Sequence, residues 1–193
     1  MENLREVIRK ETLVVVELET TGLNNKPEFG TVDYIIEVGA VKMEKGRVTE
    51  KFHSFVACPV AVPKVVTELT GITDKDLADA PSVEEVLKEL QAFCQGCRFV
   101  GHNVGFNLGF LRHFGQRVGA KFAGKAYDTV SISGSLLQGE IPNRKLATVA
   151  KCFGVSFDGH RTIDEALVTA KIFLECAKMQ TFFEWLSGLK EFD

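Results

Sequence analysis

This chain lacks a basic surplus: 23 lysines and arginines stand against 26 aspartates and glutamates, a net charge of −3 over 193 residues. That excludes a broad cationic surface for non-specific nucleic-acid binding, so any such contact has to be local. No apolar run approaches the ~20 residues that span a membrane, and the opening MENLREVIRK has no apolar signal core, so no membrane partner is expected. The five cysteines are odd in number and lack the spacing of a disulfide framework, which points to reduced thiols and a cytoplasmic setting. Repeats, low-complexity tracts and linkers are also missing. One domain over residues 1–193 is expected, with a core of about 12–178 and an aromatic tail at 179–193.

What is present begins with an ordinary composition, 45% apolar and 25% charged. The most informative stretch is Val14-Val15-Val16-Glu17-Leu18-Glu19-Thr20-Thr21-Gly22-Leu23. A β-branched apolar run stopped by a glycine turn reads as a buried central strand. Alternate strand residues share a face, so Glu17 and Glu19 project together from its C-terminal end. Paired carboxylates repel and are costly to bury unless a cation joins them, and a divalent metal is the usual solution. The plain alternative is two solvated glutamates at a strand end.

Tyr34 to Met43 reads as a second strand, Glu44-Lys45-Gly46 as a turn and Arg47 to Val56 as the hairpin partner. Residues 1–10 read as a polar lead-in of at most one helical turn. Short helices are expected at 64–69, 129–137 and 145–153, and a helix from Ser82, with Glu85 as capping-box partner, to about Gln95. Short strands fall at 98–101 and 126–128. Residues 103–119 carry a helical stripe of Val104, Leu108, Leu111 and Phe114, and a long helix covers 161–178. A hairpin followed by strands alternating with helices makes an α/β domain with a mixed sheet.

Three further stretches belong with the first. Gly101-His102-Asn103-Val104-Gly105-Phe106-Asn107 lies where a short strand hands over to a helix, and Asn107 there faces back toward the strand ends. Its bland reading is a cap by Asn103 and core packing by Phe106. His160 precedes a helix whose first turns carry Asp164 and Glu165; the histidine suits a general base, or is a surface residue beside solvated acids. Leu69-Thr70-Gly71-Ile72 is weak alone. Together the four resemble the DEDDh-type 3′→5′ exonucleases, the family of the proofreading epsilon subunit of DNA polymerase III and of the PolC exonuclease domain. The family's Asp-x-Glu-Thr-Thr-Gly-Leu falls on 17–23, its Gly-His-Asn-x-x-Phe-Asp on 101–107, its His-x4-Asp-Ala on 160–166 and its Leu-Thr-Gly-Ile on 69–72.

The resemblance implies an RNase H-like fold with a mixed five-stranded sheet flanked by helices. It also implies two Mg²⁺ or Mn²⁺ ions about 3.5–4 Å apart that hydrolyse a phosphodiester. It makes Glu17, Glu19, Asn107 and Glu165 the metal-ligand positions and His160 the base. Thr20, Thr21, Gly22, Leu23, His102, Asn103 and Phe106 become the groove for a single-stranded DNA or RNA 3′ end. A DNA polymerase subunit in replication is the implied protein partner. The family has three aspartates where this chain has Glu17, Asn107 and Glu165; only Glu19 and His160 are the expected residues. An added methylene shifts a carboxylate by roughly 1 Å, enough to cost on the order of 10²-fold in rate. An amide has no charge to offer a hard cation. Asp164 sits ~100° around the helix from Glu165 and faces away. The expectation is a 3′-end-binding domain with hydrolysis lost or strongly reduced. The alternatives are an active proofreading-type exonuclease that tolerates these ligands, and a non-catalytic interaction module.

Lesser features read as structural. Cys94-Gln95-Gly96-Cys97 has no second pair at zinc spacing. Phe182, Phe183, Trp185 and Leu186 suit a helix folded back on the core, or a docking segment for a polymerase. Arg144, Lys145 and Arg161 are candidate phosphate contacts or ordinary surface charge.

Overall fold

The structure is a computed structural model that describes residues 2–157, 159 and 161–189, the side chains of 182–189 excepted. Five strands form one mixed sheet in the order β3-β2-β1-β4-β5. They are β1 (Thr12–Thr20), β2 (Ile35–Glu44), β3 (Arg47–Phe55), β4 (Arg98–Gly101) and β5 (Ala126–Asp128). The first three are antiparallel neighbours; β4 lies parallel to β1 and β5 parallel to β4. This is the mixed five-stranded, helix-flanked sheet expected from the sequence.

Strand alternation on β1 divides the interior. Val14, Val16 and Leu18 enter a core under α4 (Val83–Phe93) and α5 (Val104–Val118), where Leu87, Leu90, Phe110 and Leu111 are buried. Leu13 and Val15 enter a second core with Leu4 and Val7 of α1 (Leu4–Lys10) and Ile172 and Phe173 of α8 (Thr162–Leu189). Glu17 and Glu19 continue that second series, so the strand period aims both at α8. Gly39 of β2 is paired with Glu17 and lies under the start of α8; a Cβ there would collide with the backbone of Thr162 and Ile163. The missing side chain lets the helix approach the sheet beside the two acids. The β1–β2 register shifts between Glu19 and Thr20, which ends regular pairing where the turn begins.

The remaining helices are α2 (Lys64–Thr70), α3 (Asp74–Leu77), α6 (Thr129–Leu136) and α7 (Leu146–Cys152). Several elements differ from the sequence expectation. Residues 4–10 form two helical turns: Asn3 caps Glu6 N at 3.1 Å, Leu4 and Val7 bury one face, and Leu4 N donates to Gln180 Oε1 at 2.9 Å. The short α3 carries a Thr73–Asp76 capping box that was not anticipated. Asn103 precedes α5 in the left-handed region (φ 60°) and makes no side-chain cap bond. The tail is not a separate helix either; α8 runs unbroken from 162 to 189. The side chains of Phe182, Phe183, Trp185 and Leu186 lie outside the described residues. No helix among the described residues is long and apolar enough to cross a membrane.

Candidate functional site

The C-terminal end of β1 meets the start of α5 and the first turns of α8. Glu17 is 5% exposed there, and both its oxygens are held by donors. Its Oε1 accepts from the His102 backbone N–H at 3.1 Å and from the Thr169 hydroxyl at 3.0 Å; its Oε2 accepts from Asn107 Nδ2 at 2.7 Å. Asn107 Nδ2 also donates to the Val16 carbonyl at 3.0 Å. That second bond fixes which end of the amide faces Glu17. A flipped amide would set Oδ1 against a carbonyl oxygen and a carboxylate oxygen, with no donor between them.

All three donors are neutral groups. Burial pushes the Glu17 carboxyl up to about 7; the three hydrogen bonds pull it down and the charge of Glu165 raises it further. Glu19 rises to about 8, from burial first and then from Glu165, Glu37 and Glu17, with Arg161 opposing. Glu165 rises to about 7, again by burial, with Glu37 adding to it. The structure thus brings together Glu17, Glu19, Asn107 and Glu165 as the sequence placed them, while Asp164 is exposed. His160 lies outside the described residues.

Two neighbours went unnoticed in the sequence. Glu37 on β2 is paired directly with Glu19 on β1 and is fully buried. Its Oε1 accepts from Arg161 Nε at 2.8 Å and Nη2 at 2.6 Å, and His53 Nε2 lies 2.6 Å from the same oxygen. Its Oε2 accepts from Thr162 N at 3.3 Å. The signal was the lone acid in the apolar run Ile35-Ile36-Glu37-Val38, since a charge buried in a strand needs a partner. Arg161 is therefore engaged with Glu37, and its guanidinium also lies 5.0 Å from the centre of the Phe55 ring. Thr169 carried no comparable signal, because a threonine on a helix usually has nothing to reach.

The residues assigned to a groove divide by exposure. Thr20 donates to the Gly22 carbonyl at 2.6 Å, and Thr21 accepts from Tyr34 N at 2.9 Å; both are buried and build the turn. A side chain at Gly22 would strike the Asp33 carboxylate, which accepts from Asn24 N at 2.8 Å. Leu23 then projects from the turn, 83% exposed. Asn103 is exposed, its N–H donating to Asp128 Oδ1 at 3.0 Å. Phe106 is half-buried against Phe110, with ring centres 5.1 Å apart. The His102 ring is spoken for: Nε2 donates to the Arg144 carbonyl at 2.8 Å, and Nδ1 lies 2.9 Å from the Thr129 hydroxyl. Burial lowers its proton affinity, so a neutral ring fits these contacts. The His102 contribution to the site is its backbone N–H on Glu17. Arg144 and Lys145 are exposed.

A metal centre of the family's kind fits this donor set poorly. Asn107 presents nitrogen, not oxygen, to Glu17, and the Glu17 oxygens are already occupied. Glu19 and Glu165 are the carboxylates left over. No group of three or more His, Cys, Asp or Glu side chains placed to hold a metal occurs among the described residues. The Cys94-to-Cys97 pair lies at the opposite end of the sheet, and burial pushes the Cys94 thiol up to about 12, far from a reactive thiolate.

Comparison with known proteins places the chain. Residues 14–173 match the exonuclease (RNase T) family. PolC-type DNA polymerase III of Caldanaerobacter subterraneus subsp. tengcongensis is 36% identical over 163 residues, 84% of this chain and 11% of the relative. The Thermotoga maritima PolC-type polymerase is 35% identical over 170 residues, 87% of this chain and 12% of the relative. The chain thus spans about a tenth of the length of these relatives. Among solved structures, a 3′-exonuclease that recognises the 3′ end of a histone mRNA stem-loop superposes with a TM-score of 0.74 at 18% identity, over 88% of this chain and 64% of that one. E. coli exonuclease I in complex with a dA16 oligonucleotide gives 0.74 at 15% identity, over 92% and 43%. These structural likenesses establish a shared fold. With the family match over most of its length and PolC-type relatives above 30% identity, the chain belongs to the exonuclease (RNase T) family.

Proposed function

We propose that this domain holds a single-stranded nucleic-acid 3′ end and that phosphodiester hydrolysis in it is lost or strongly reduced. The observation that carries the reading is the Asn107 amide donating to Glu17 at 2.7 Å. The hydrolysis implied by the family resemblance needs oxygen ligands converging on hard cations, and here a nitrogen and a carboxylate that already accepts three hydrogen bonds stand in that place. Glu17 and Glu165 in place of aspartates lengthen two further arms.

Uptake of an end asks for less. The backbone turn from Thr20 to Gly22 is braced by its own hydrogen bonds and presents Leu23 to solvent. Leu69 and Val65 on α2 are 60% and 70% exposed, and Ile72 just beyond packs with Ile36, next to Glu37. Exposed aliphatic side chains that pack against a terminal base favour no one base over another, which suits sequence-tolerant contact with a strand end. The net charge of −3 leaves affinity to these local contacts. The PolC-type relatives support a DNA polymerase subunit as the protein partner.

The test is a 3′-labelled single-stranded oligonucleotide incubated with Mg²⁺ or Mn²⁺, followed both for binding and for shortening. Retention on the protein without shortening is the expected result. Failure to bind would leave a protein-interaction role in its place.

A further inference from the structure

The buried carboxylate of Glu17 has to be balanced by something. In a cluster that also holds Glu19, Glu37 and Glu165, the obvious balance is a cation, and the guanidinium of Arg161 is hydrogen-bonded to Glu37 and not to Glu17. Glu17 has instead a ring of donors from three separate elements: α5 through the Asn107 amide, the end of β4 through His102 N–H, and α8 through Thr169. The Asn107 side chain is 3% exposed, and its amide is oriented by the Val16 carbonyl as well as by Glu17.

Resting on the reading above, we infer that the Asn107 amide stands in for a metal ion at Glu17, so that the folded state draws nothing from divalent metal. An aspartate at 107 would set two carboxylates in hydrogen-bond contact with no donor between them, also facing the Val16 carbonyl. Such a pair must share a proton or take up a cation, and in alkaline buffer, where the melting comparison is made, the cation is what remains. An alanine at 107 would remove the donor without adding a charge, and a cation would have little to repair.

Thermal unfolding of the wild type, N107D and N107A in EDTA and in millimolar MnCl₂ tests this. The wild type melts at the same temperature in both buffers. N107D melts several degrees lower than wild type in EDTA and recovers in MnCl₂. N107A melts below wild type in both buffers alike. A wild-type melting temperature that rises with MnCl₂ as much as that of N107D overturns the inference. Should N107D not fold in EDTA, its folding on addition of MnCl₂ is the expected outcome, and recovery of N107A by MnCl₂ is the contrary one. Binding of a labelled single-stranded oligodeoxynucleotide, measured on the same samples, tests the 3′-end reading separately. Wild type that fails to bind it in either buffer sinks that reading and leaves the melting comparison standing.

Discussion

Two glutamates on adjacent strands are buried almost equally, Glu17 at 5% and Glu37 at 0% exposure, yet they are neutralised in opposite ways. Glu37 meets charge with charge, through Arg161, with His53 Nε2 on the same oxygen, and closes its second oxygen with the Thr162 N–H. Glu17 meets charge with dipoles, through an amide, a hydroxyl and a backbone N–H. The first arrangement belongs to the scaffold: it ties β2 and β3 to the start of α8. The second sits where the family resemblance locates chemistry, and it is there that the proton affinity of the carboxyl is raised. A carboxylate held only by neutral donors in a dry site keeps part of its demand for positive charge, and a proton near neutral pH meets the rest.

The largest way to break the contrast is to make the Glu17 cluster demand metal. Aspartate at 17, 107 and 165 together should raise Mn²⁺-dependent shortening of a labelled oligonucleotide by orders of magnitude, since a misplaced group of roughly 1 Å costs on the order of 10²-fold. No gain in rate would mean that the metal positions are wrongly assigned. Removing the cation from the other cluster comes next. R161A leaves Glu37 with His53 and the Thr162 N–H and should cost about 3 kcal/mol in chemical denaturation, at the low end for a broken buried pair because Arg161 is half-exposed. A loss near zero would mean that His53 suffices.

The pH dependence follows from the raised carboxyls. Glu17 and Glu165 at about 7 and Glu19 at about 8 bind protons in the folded state that an unfolded glutamate, near 4.5, has released. The folded state therefore holds more protons between these values, and stability must fall as pH rises through them. The contribution is complete below about pH 4.5 and gone above about pH 8. Melting temperature should decline from pH 5 to pH 8.5, and E165Q should flatten the decline. A wild-type curve that rises over this range contradicts the electrostatics. The smallest effect is T169V, which removes one hydroxyl from Glu17 and should cost roughly 1–2 kcal/mol.

Much of the fold was legible because its determinants are local. Alternation on β1 gave both faces of the sheet, the Glu44-to-Gly46 turn gave the hairpin, and Ser82 with Glu85 gave the start of α4. Strand period put Glu17 and Glu19 on one face, and the family resemblance pointed to Asn107 and Glu165, which the fold brings beside them. What escaped was non-local. That Arg161 turns to Glu37 depends on two residues 124 positions apart. That the Asn107 nitrogen faces Glu17 depends on the carbonyl of Val16, which no pattern of residue types announces. The His102 ring, assigned to a groove by motif, is held by Thr129 and Arg144, whose nearness only the packed fold reveals. The length of α1 was missed because a two-residue buried face is too short to show a period.

The central claim is that the amide-locked site grips an end without cutting it. Incubating the wild-type protein with a 3′-labelled single-stranded oligonucleotide and Mn²⁺, beside the variant carrying aspartate at 17, 107 and 165, tests it most directly. The account predicts bound, full-length oligonucleotide with the wild type and progressive shortening with the variant. Shortening by the wild type at a rate comparable to that of the variant would contradict it.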